Sequence, residues 1–191
     1  MNFCSQCGAK VSLRVPAGDD RPRHICDDCG VIHYQNPNIV AGCIPQWEDK
    51  VLLCRRGIEP RYGRWTLPAG FMENAETMSE AASREAREEA CTNLEMGPLF
   101  TAFSIPHIDQ VYVIYRARLL DLDFAAGEES LEVALFTEAE IPWSEIAFPP
   151  ILRTLQLYFE DCAAGQFRVH DGDILRNPRD RFNPTIRVRS G

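Results

Sequence analysis

The feature that most restricts how this chain can fold is a gapped pattern of one glycine and several charged residues in its first half. It consists of a glycine, a glutamate six positions later and a final Arg-Glu-x-x-Glu-Glu run: Gly70, Glu76, Arg84, Glu85, Glu88 and Glu89. On a helix, residues three and four apart share one face, so the last three carboxylates crowd together and repel each other. Such a face either holds a hard divalent cation, which prefers carboxylate oxygen, or is a solvated surface paired with neighbouring arginines.

The residues around this pattern predict a helix set among strands. Thr77 and Glu80 form a capping-box pattern, and helix-forming alanine and glutamate continue to about Ala90. Pro149 begins a second amphipathic helix, which is expected to end near Gly165. Short apolar or alternating runs predict strands at residues 39–44, 50–55, 99–104, 110–119 and 131–136.

The complete pattern, with its lead-in Gly63-Arg-Trp-Thr-Leu-Pro-Ala-Gly70, resembles the Nudix box of the Nudix hydrolase family. The resemblance implies an α/β fold, the Nudix α/β/α sandwich with a mixed sheet. One position departs from the family, because Cys91 stands where a glycine usually forms the turn out of the helix. The departure concerns the geometry of that turn and none of the charged positions.

The resemblance also implies roles for individual residues. The catalytic magnesium or manganese ions would be bound by three glutamates and a carbonyl oxygen of the box: Glu85, Glu88, Glu89 and Gly70. Arg84 and Glu76 would act as a supporting pair that orients these carboxylates. A further glutamate beyond the box commonly completes such sites. Glu129 is the best match and Glu132 the second choice, the alternative being that both are ordinary loop charges.

Two Cys-x-x-Cys pairs near the N-terminus predict a structural zinc site with four thiolate ligands: Cys4, Cys7, Cys26 and Cys29. A segment of about 34 residues has too small an apolar core to fold without such a metal. A redox-active pair is the alternative, and two matched pairs outside any βαβ context disfavour it. His24 and His33 are expected to be bystanders. The ribbon is expected to serve structure or dimerisation rather than nucleic-acid contact.

These patterns divide the chain into three parts, a zinc ribbon at 1–34, a Nudix hydrolase domain at 35–170 and an extended C-terminal tail at 171–191. The other four cysteines stand singly in apolar surroundings and are predicted to be small buried residues: Cys43, Cys54, Cys91 and Cys162. A disulfide framework for all eight cysteines is the alternative, and it would require an oxidising compartment.

Charge and composition restrict the partners. The net charge of −8 argues against a surface built for nucleic-acid backbones, but an acidic protein can hold a diphosphate through divalent cations. No apolar run approaches the roughly 20 residues that span a bilayer, and Met1-Asn-Phe-Cys4 does not begin a secretory signal. We therefore expect a cytoplasmic protein with a small-molecule substrate, no nucleic acid and no membrane. The resemblance would suggest a homodimer.

The choice of substrate depends on stretches outside the box. NADH pyrophosphatases also carry a zinc ribbon, but residues 102–110 lack the tryptophan and most of the prolines of their motif. Tyr34-Gln-Asn-Pro37 and Glu129-Ser-Leu-Glu132 are similar to the zinc-ribbon FAD/ADP-ribose pyrophosphatases, which favours ADP-ribose or FAD with AMP as product. The predicted substrate contacts are two arginines for phosphate, an aromatic ring and an amide: Arg55, Arg56, Trp65 and Gln110.

Three other functions stay open at this point. NADH pyrophosphatase activity and removal of damaged nucleoside triphosphates would use the same box chemistry. A non-catalytic nucleotide sensor is the alternative of another class, but every charged residue of the box is present. The sequence therefore predicts a hydrolase acting on phosphoanhydride bonds, with zinc as structural metal and magnesium or manganese as catalytic metal.

Overall fold

The computed structural model describes residues 1–177 and 180–190; residues 178, 179 and 191 of the predicted tail lie outside this description. The chain divides into two compact units, Met1–Pro37 and Asn38–Gly191.

The small unit is built on a three-stranded antiparallel sheet with β2 in the middle. Its strands are β1 (Val11–Arg14), β2 (Arg23–Cys26) and β3 (Ile32–His33). Gly8 and Gly30 follow the second cysteine of each pair with φ of 75° and 70°, a left-handed conformation that closes each turn back towards its cysteines. Cys4 and Cys26 are the buried residues of this unit. The unit therefore has almost no apolar core apart from its cysteines.

The large unit is a mixed nine-stranded sheet with two α-helices within the described residues. Its elements are β4 (Asn38–Trp47), β5 (Lys50–Arg56), β6 (Trp65–Thr66), β7 (Ala69–Phe71), α1 (Met78–Ala90), β8 (Leu94–Ile105), β9 (Gln110–Leu119), β10 (Ser130–Phe136), α2 (Pro149–Ala164), β11 (His170–Asn177) and β12 (Asp180–Ser190). The strand order is β10-β5-β4-β9-β8-β11-β12, with β6 paired to β5 and β7 to β4. The pairs β4–β9 and β8–β11 are parallel, and the other pairs are antiparallel.

Side chains alternate between the two faces of the sheet, and each face is covered by one helix. On β4, Val40 and Ile44 enter the apolar cluster that includes α2, whereas Ala41 and Cys43 pack against α1. Successive residues of a strand point to opposite faces, so a strand buried on both sides is apolar throughout. The predicted helix–sheet–helix layers and the mixed sheet are confirmed.

Helix α1 begins as the sequence predicts. Thr77 is the N-cap, its hydroxyl accepts from the Glu80 N–H at 3.2 Å, and the Glu80 carboxylate accepts from the Thr77 N–H at 2.7 Å. The buried face of the helix is made of small residues: Ala81, Ala82, Ala86 and Ala90. Because these side chains are short, the helix can pack closely against the sheet, and Glu89 beside them is buried as well.

The segment predicted as an extended tail forms a hairpin that joins the sheet. β11 pairs in parallel with β8 and antiparallel with β12. Ile174 is buried, and Ile186 and Val188 pack against the same core. Apolar residues that alternate with polar ones along β12 therefore place one side of the strand on the core. His170 ties β11 to α2, because its Nε2 lies 2.9 Å from the Asp161 carboxylate in a buried pair. Neither α-helix is long and apolar enough to cross a membrane.

Two of the predicted buried cysteines are exposed. Cys43 and Cys54 are buried in the sheet, as expected, but Cys91 and Cys162 are not. Cys91 is the C-cap of α1, where the chain leaves the helix surface, and Cys162 lies in the last turn of α2. The apolar neighbours of these two cysteines in sequence do not surround them in space.

We predict that Cys91→Gly stabilises the large unit by about 1 kcal/mol, because Cys91 has φ 50° and ψ 32° and a side chain in this left-handed region is strained. Urea unfolding followed by tryptophan fluorescence measures this, since Trp47, Trp65 and Trp143 all lie in the large unit. Cys91→Ser is the control because it removes the thiol and keeps the strain. Equal stability of the two variants would contradict the assignment of strain.

Candidate functional site

Glu89 is a buried carboxylate at the centre of the site. It is 6% exposed, and its Oε2 accepts a hydrogen bond from the Ala69 N–H at 3.3 Å, which ties the end of α1 to the start of β7. Burial raises the pKa of Glu89 to about 8, and the neighbouring Glu85 carboxylate adds to the rise. A carboxylate this costly to bury is unusual unless a cation or a proton compensates its charge.

Glu85 lies over Gly70, which explains why the pattern begins with a glycine. A Cβ on Gly70 would collide with the Glu85 carboxyl group, so the box glycine leaves room for a box glutamate. Burial raises the pKa of Glu85, and hydrogen bonding by Arg84 opposes the rise. The Gly70 backbone pairs with Ala41 on β4, so this contact is fixed to the sheet.

Arg84 connects two carboxylates of the helix with Glu76, which lies just before the helix begins. Its guanidinium donates to Glu76 at 2.8 and 3.0 Å, to Glu85 at 2.8 Å and to Glu88 at 3.0 Å. Its Nη2 also donates to the Phe71 carbonyl oxygen at 3.1 Å. The hydrogen bond from Arg84 lowers the pKa of Glu76 to about 2, so that carboxylate stays charged. Glu88, 58% exposed, faces solvent beside this network.

Glu129 reaches the same region through a close approach of two backbones. The Gly127 N–H donates to the Glu89 carbonyl oxygen at 3.0 Å, and a Cβ on Gly127 would collide with the Glu88 carbonyl oxygen. After burial, which is the largest cause, the Glu129 charge contributes to the raised pKa values of Glu85 and Glu89. Glu132, by contrast, pairs with Arg55 at 3.5 Å. Of the two candidates, Glu129 is the one whose charge acts on both Glu85 and Glu89.

The other predicted substrate contacts have different surroundings. Arg55 and Arg56 end β5, and Gln110 begins β9, where it pairs with Asn38 and Ile105. Trp65 is 7% exposed and packs edge-on against Phe136 at 4.9 Å between ring centroids. A stacking role for Trp65 stays a prediction.

The four N-terminal cysteines converge in the small unit. Their Sγ atoms all lie within 4.8 Å of one another, with Cys7 3.4 Å from Cys26 and Cys4 3.7 Å from Cys29. A tetrahedral zinc ion with bonds of about 2.3 Å requires sulfur separations of about 3.8 Å, so the cluster fits the ion. The Cys29 N–H donates to Cys26 Sγ at 3.4 Å and lowers the pKa of Cys26 to about 6, which favours the thiolate. His33 Nε2 lies 3.3 Å from Cys4 Sγ, outside the set of four.

Among the described residues, these cysteines are the only group of three or more metal-binding side chains whose ligand atoms converge so closely. The box glutamates share one helical stripe but spread over a wider region, because Arg84 draws Glu85 and Glu88 towards itself. Their oxygens are nevertheless the hard donors that magnesium and manganese prefer.

Comparison with known families decides the identity. A zinc-ribbon model described as "Nudix N-terminal" matches residues 2–35, and a model described as "NUDIX domain" matches residues 36–155. The chain belongs to the Nudix family. With the relatives below, this membership makes the chain a hydrolase of the pyrophosphatase type, and the N-terminal cysteine cluster belongs to a Nudix zinc ribbon.

Two relatives of known name are similar over much of the Nudix domain. An ADP-ribose pyrophosphatase of Methanocaldococcus jannaschii is 31% identical over 113 residues, which are 57% of this chain and 67% of the relative. A protein named NAD-capped RNA hydrolase NudC, from Photobacterium profundum, is 34% identical over 152 residues. That alignment covers 74% of this chain and 52% of the relative, so the chain spans about half the length of the NudC protein.

Solved structures agree on the fold. A crystal structure of a NUDIX hydrolase from Nitrosomonas europaea is 57% identical, has a TM-score of 0.89, and covers 91% of this chain and 99% of its own. A bifunctional NMN adenylyltransferase/ADP ribose pyrophosphatase from Francisella tularensis, complexed with AMP and a manganese ion, is 18% identical with a TM-score of 0.59. It covers 68% of this chain and 43% of its own, and shows likeness of fold alone.

Sequence reasoning missed two backbone contributions to this site. Gly127 brings the chain carrying Glu129 against the end of α1, and the Ala69 N–H holds Glu89. The glycine two residues before Glu129 is a sequence signal for a close approach of two backbones. The Ala69 contact has no sequence signal, because any residue except proline supplies a backbone N–H.

We predict that Glu89→Gln removes a destabilising effect that grows with pH. The ordinary pKa of glutamate is 4.5 and that of folded Glu89 is about 8, so the folded state holds the extra proton between these values. The contribution of Glu89 to the free energy of unfolding therefore falls as pH rises from about 4.5 to about 8. In buffer without added divalent ions, urea unfolding should show Glu89→Gln gaining stability over wild type across this window.

Glu80→Gln provides the matched control, because glutamine preserves the capping box on the same helix. A stability difference between Glu89→Gln and wild type that is independent of pH would show that Glu89 titrates normally.

Proposed function

We propose that the chain is a magnesium- or manganese-dependent pyrophosphohydrolase that cleaves the diphosphate of a nucleotide derivative such as ADP-ribose or FAD and releases AMP. The observation that carries the proposal is the close approach of the loop carrying Glu129 to the end of α1, where Glu85, Glu88 and Glu89 share one helical stripe. The ADP-ribose pyrophosphatase relative supports the choice of substrate.

The residues fit a divalent metal by their chemistry. Four carboxylates, with the Gly70 carbonyl oxygen, form an oxygen-rich donor set in which two members have a raised pKa because burial penalises their charge: Glu85 and Glu89. When bound there, magnesium or manganese would neutralise the diphosphate and lower the pKa of a water molecule. Positive charge at this place would offset the cost of burying both carboxylates.

The chain's own residues divide the remaining work. Arg84, anchored by Glu76 and by the Phe71 carbonyl oxygen, fixes the direction of the Glu85 and Glu88 carboxylates through hydrogen bonds. Arg56 and Arg55 bring positive charge to the end of β5, where the forked guanidinium donors suit phosphate oxygens. Trp65 and Gln110 complete the proposed substrate contacts. Trp65, which is largely buried, would line the substrate-binding site.

We also propose that the cysteine cluster holds one structural zinc ion, bound by the four thiolates. Its contribution would be to fold residues 1–37, which have little apolar core. A homodimer and a cytoplasmic location, without membrane contact, complete this proposal.

The similarity to NudC supports a second candidate. A relative named NAD-capped RNA hydrolase shares 34% identity over 152 residues, so NADH or a dinucleotide at the end of an RNA is a possible diphosphate substrate. The net charge of −8 favours a small substrate over RNA. Both candidates use the same carboxylates and differ in what surrounds the diphosphate.

A substrate panel distinguishes these functions. Purified protein with zinc bound is incubated with ADP-ribose, FAD, NADH, an NAD-capped RNA and nucleoside triphosphates, with magnesium or manganese. AMP or phosphate is measured, and for the capped RNA the released nicotinamide mononucleotide is measured instead. We expect the highest kcat/KM with ADP-ribose or FAD. Preference for NADH or capped RNA would favour the second candidate, and binding without turnover would indicate a sensor.

We predict that Glu88→Gln lowers kcat by at least about 100-fold, because it removes a metal-binding charge from an exposed side chain without touching the core. The melting temperature should change little. Glu80→Gln on the same helix is the control and should keep its activity. Full activity of Glu88→Gln would place the catalytic metal elsewhere.

We predict that Cys26→Ser lowers zinc content and unfolds the small unit first, because a structural zinc ion supplies the folding free energy of a ribbon. Atomic absorption measures the zinc, and amide NMR signals report on residues 1–37 separately from residues 38–191. Cys162→Ser, a change at an exposed cysteine of the large unit, is the control. Unchanged zinc content and unchanged signals in Cys26→Ser would rule out the zinc assignment.

A further inference from the structure

The two arginines that end β5 differ in how their charges are used. Arg55 donates to the Gly63 carbonyl oxygen at 3.1 Å and to the Glu132 carboxylate at 3.5 Å, so its charge is paired. Arg56 donates from Nε to the Pro60 carbonyl oxygen at 2.9 Å. Its two Nη groups donate to none of the residues that the structure describes, and no described carboxylate lies within ion-pair distance of it. Arg56 therefore keeps most of its donors for a ligand.

Phe148 holds the guanidinium of Arg56 from one side. The Arg56 Cζ lies over the Phe148 ring, 5.1 Å from its centroid, which is a cation–π contact. The backbone of Arg56 is fixed as well, since its N–H donates to Arg64 and its carbonyl oxygen accepts from Gly63, both at 2.8 Å. A long side chain thus has its backbone, its Nε and one face of its guanidinium held before any ligand arrives.

Phe148 occupies a position where helix stability alone would select another residue. It is the N-cap of α2, with φ −129° and ψ 135°, and its side chain makes no capping hydrogen bond. Serine, threonine, aspartate and asparagine are strongly preferred at this position. Pro149 keeps the preceding residue in the extended conformation, which fixes the backbone from which the ring projects. In place of a cap, the Phe148 ring packs against the apolar core and holds the Arg56 guanidinium, so both of its contacts lie outside the helix.

Arg56 lies at the end of β5 that pairs with the start of β10, because Arg56 is in register with Ser130, the residue after Glu129. The residue after Arg56 is tied to the same region, because the Gly57 N–H donates to the Glu129 carbonyl oxygen at 2.7 Å. The end of β5 that carries Arg56 is thus fixed beside the loop that carries Glu129, one of the proposed metal ligands.

We propose that Phe148 is a positioning residue, which together with the Pro60 carbonyl oxygen holds Arg56 so that its free Nη groups receive the phosphate oxygens of the substrate. The inference rests on the proposed function and adds to it a residue 92 positions away from Arg56 in the chain. A forked donor that is already oriented loses less entropy on binding a phosphate than a free one.

A double-mutant cycle tests the proposal. The variants are Phe148→Leu, Arg56→Met, the double variant and Phe148→Tyr, which keeps the ring. Phe167→Leu is the matched control, because Phe167 stacks on Arg116, another arginine of the large unit. For each variant, kcat and KM are measured with the best substrate, and the Kd for inorganic pyrophosphate with manganese is measured by calorimetry.

We expect Phe148→Leu to raise KM and the pyrophosphate Kd about five- to tenfold, with a smaller change in kcat. Phe148→Tyr should restore both constants, and Phe148→Leu should have no further effect once Arg56 is methionine. Additive effects, or an equal loss in Phe167→Leu, would overturn the positioning role while leaving the hydrolase assignment in place.

The calorimetric measurement separates the two levels of the proposal. If wild type binds pyrophosphate but hydrolyses no substrate, the proposed function fails, and the cycle in Kd still decides the role of Phe148. If wild type binds no pyrophosphate, the phosphate site itself is wrong, and the inference is overturned with it.

Discussion

The close approach of α1 to the sheet is the constraint on which the rest of the site depends. Alanines on the buried face of the helix let its axis come near β4, and the glycine at position 70 leaves space for a carboxyl group between them. Glu85 and Glu89 are therefore held where their charge is costly. A divalent cation and the nearby guanidinium groups can offset that cost. The packing of the helix therefore favours the binding of positive charge at these carboxylates.

Arg84 and Arg56 supply positive charge to this region in different ways. Arg84 is saturated, with hydrogen bonds to three carboxylates and a carbonyl oxygen, and it keeps the box in shape. Arg56 is held by a ring and one carbonyl oxygen and keeps its Nη groups free. The contrast explains why two arginines in an acidic site need not be redundant: one orients the protein's own charges, and the other is suited to the charges of a ligand.

Local rules made much of this fold predictable. The capping box of α1, the proline start and glycine end of α2, and the strand from Gln110 to Leu119 were readable because each signal lies within a few residues. The C-terminal hairpin was missed, since its alternation is hidden among arginines and prolines and its partner, β8, lies about 70 residues earlier in the chain. Phe148 was invisible for a similar reason, because its contact with Arg56 exists only after folding.

The most direct measurement of the central claim is a crystal structure of the protein soaked in manganese with a non-hydrolysable ADP-ribose analogue, with manganese located by its anomalous scattering. The account predicts anomalous peaks within bonding distance of the carboxylates of Glu85, Glu88 or Glu89, with the diphosphate beside them. Clear density for the analogue with no manganese at this helix would contradict it.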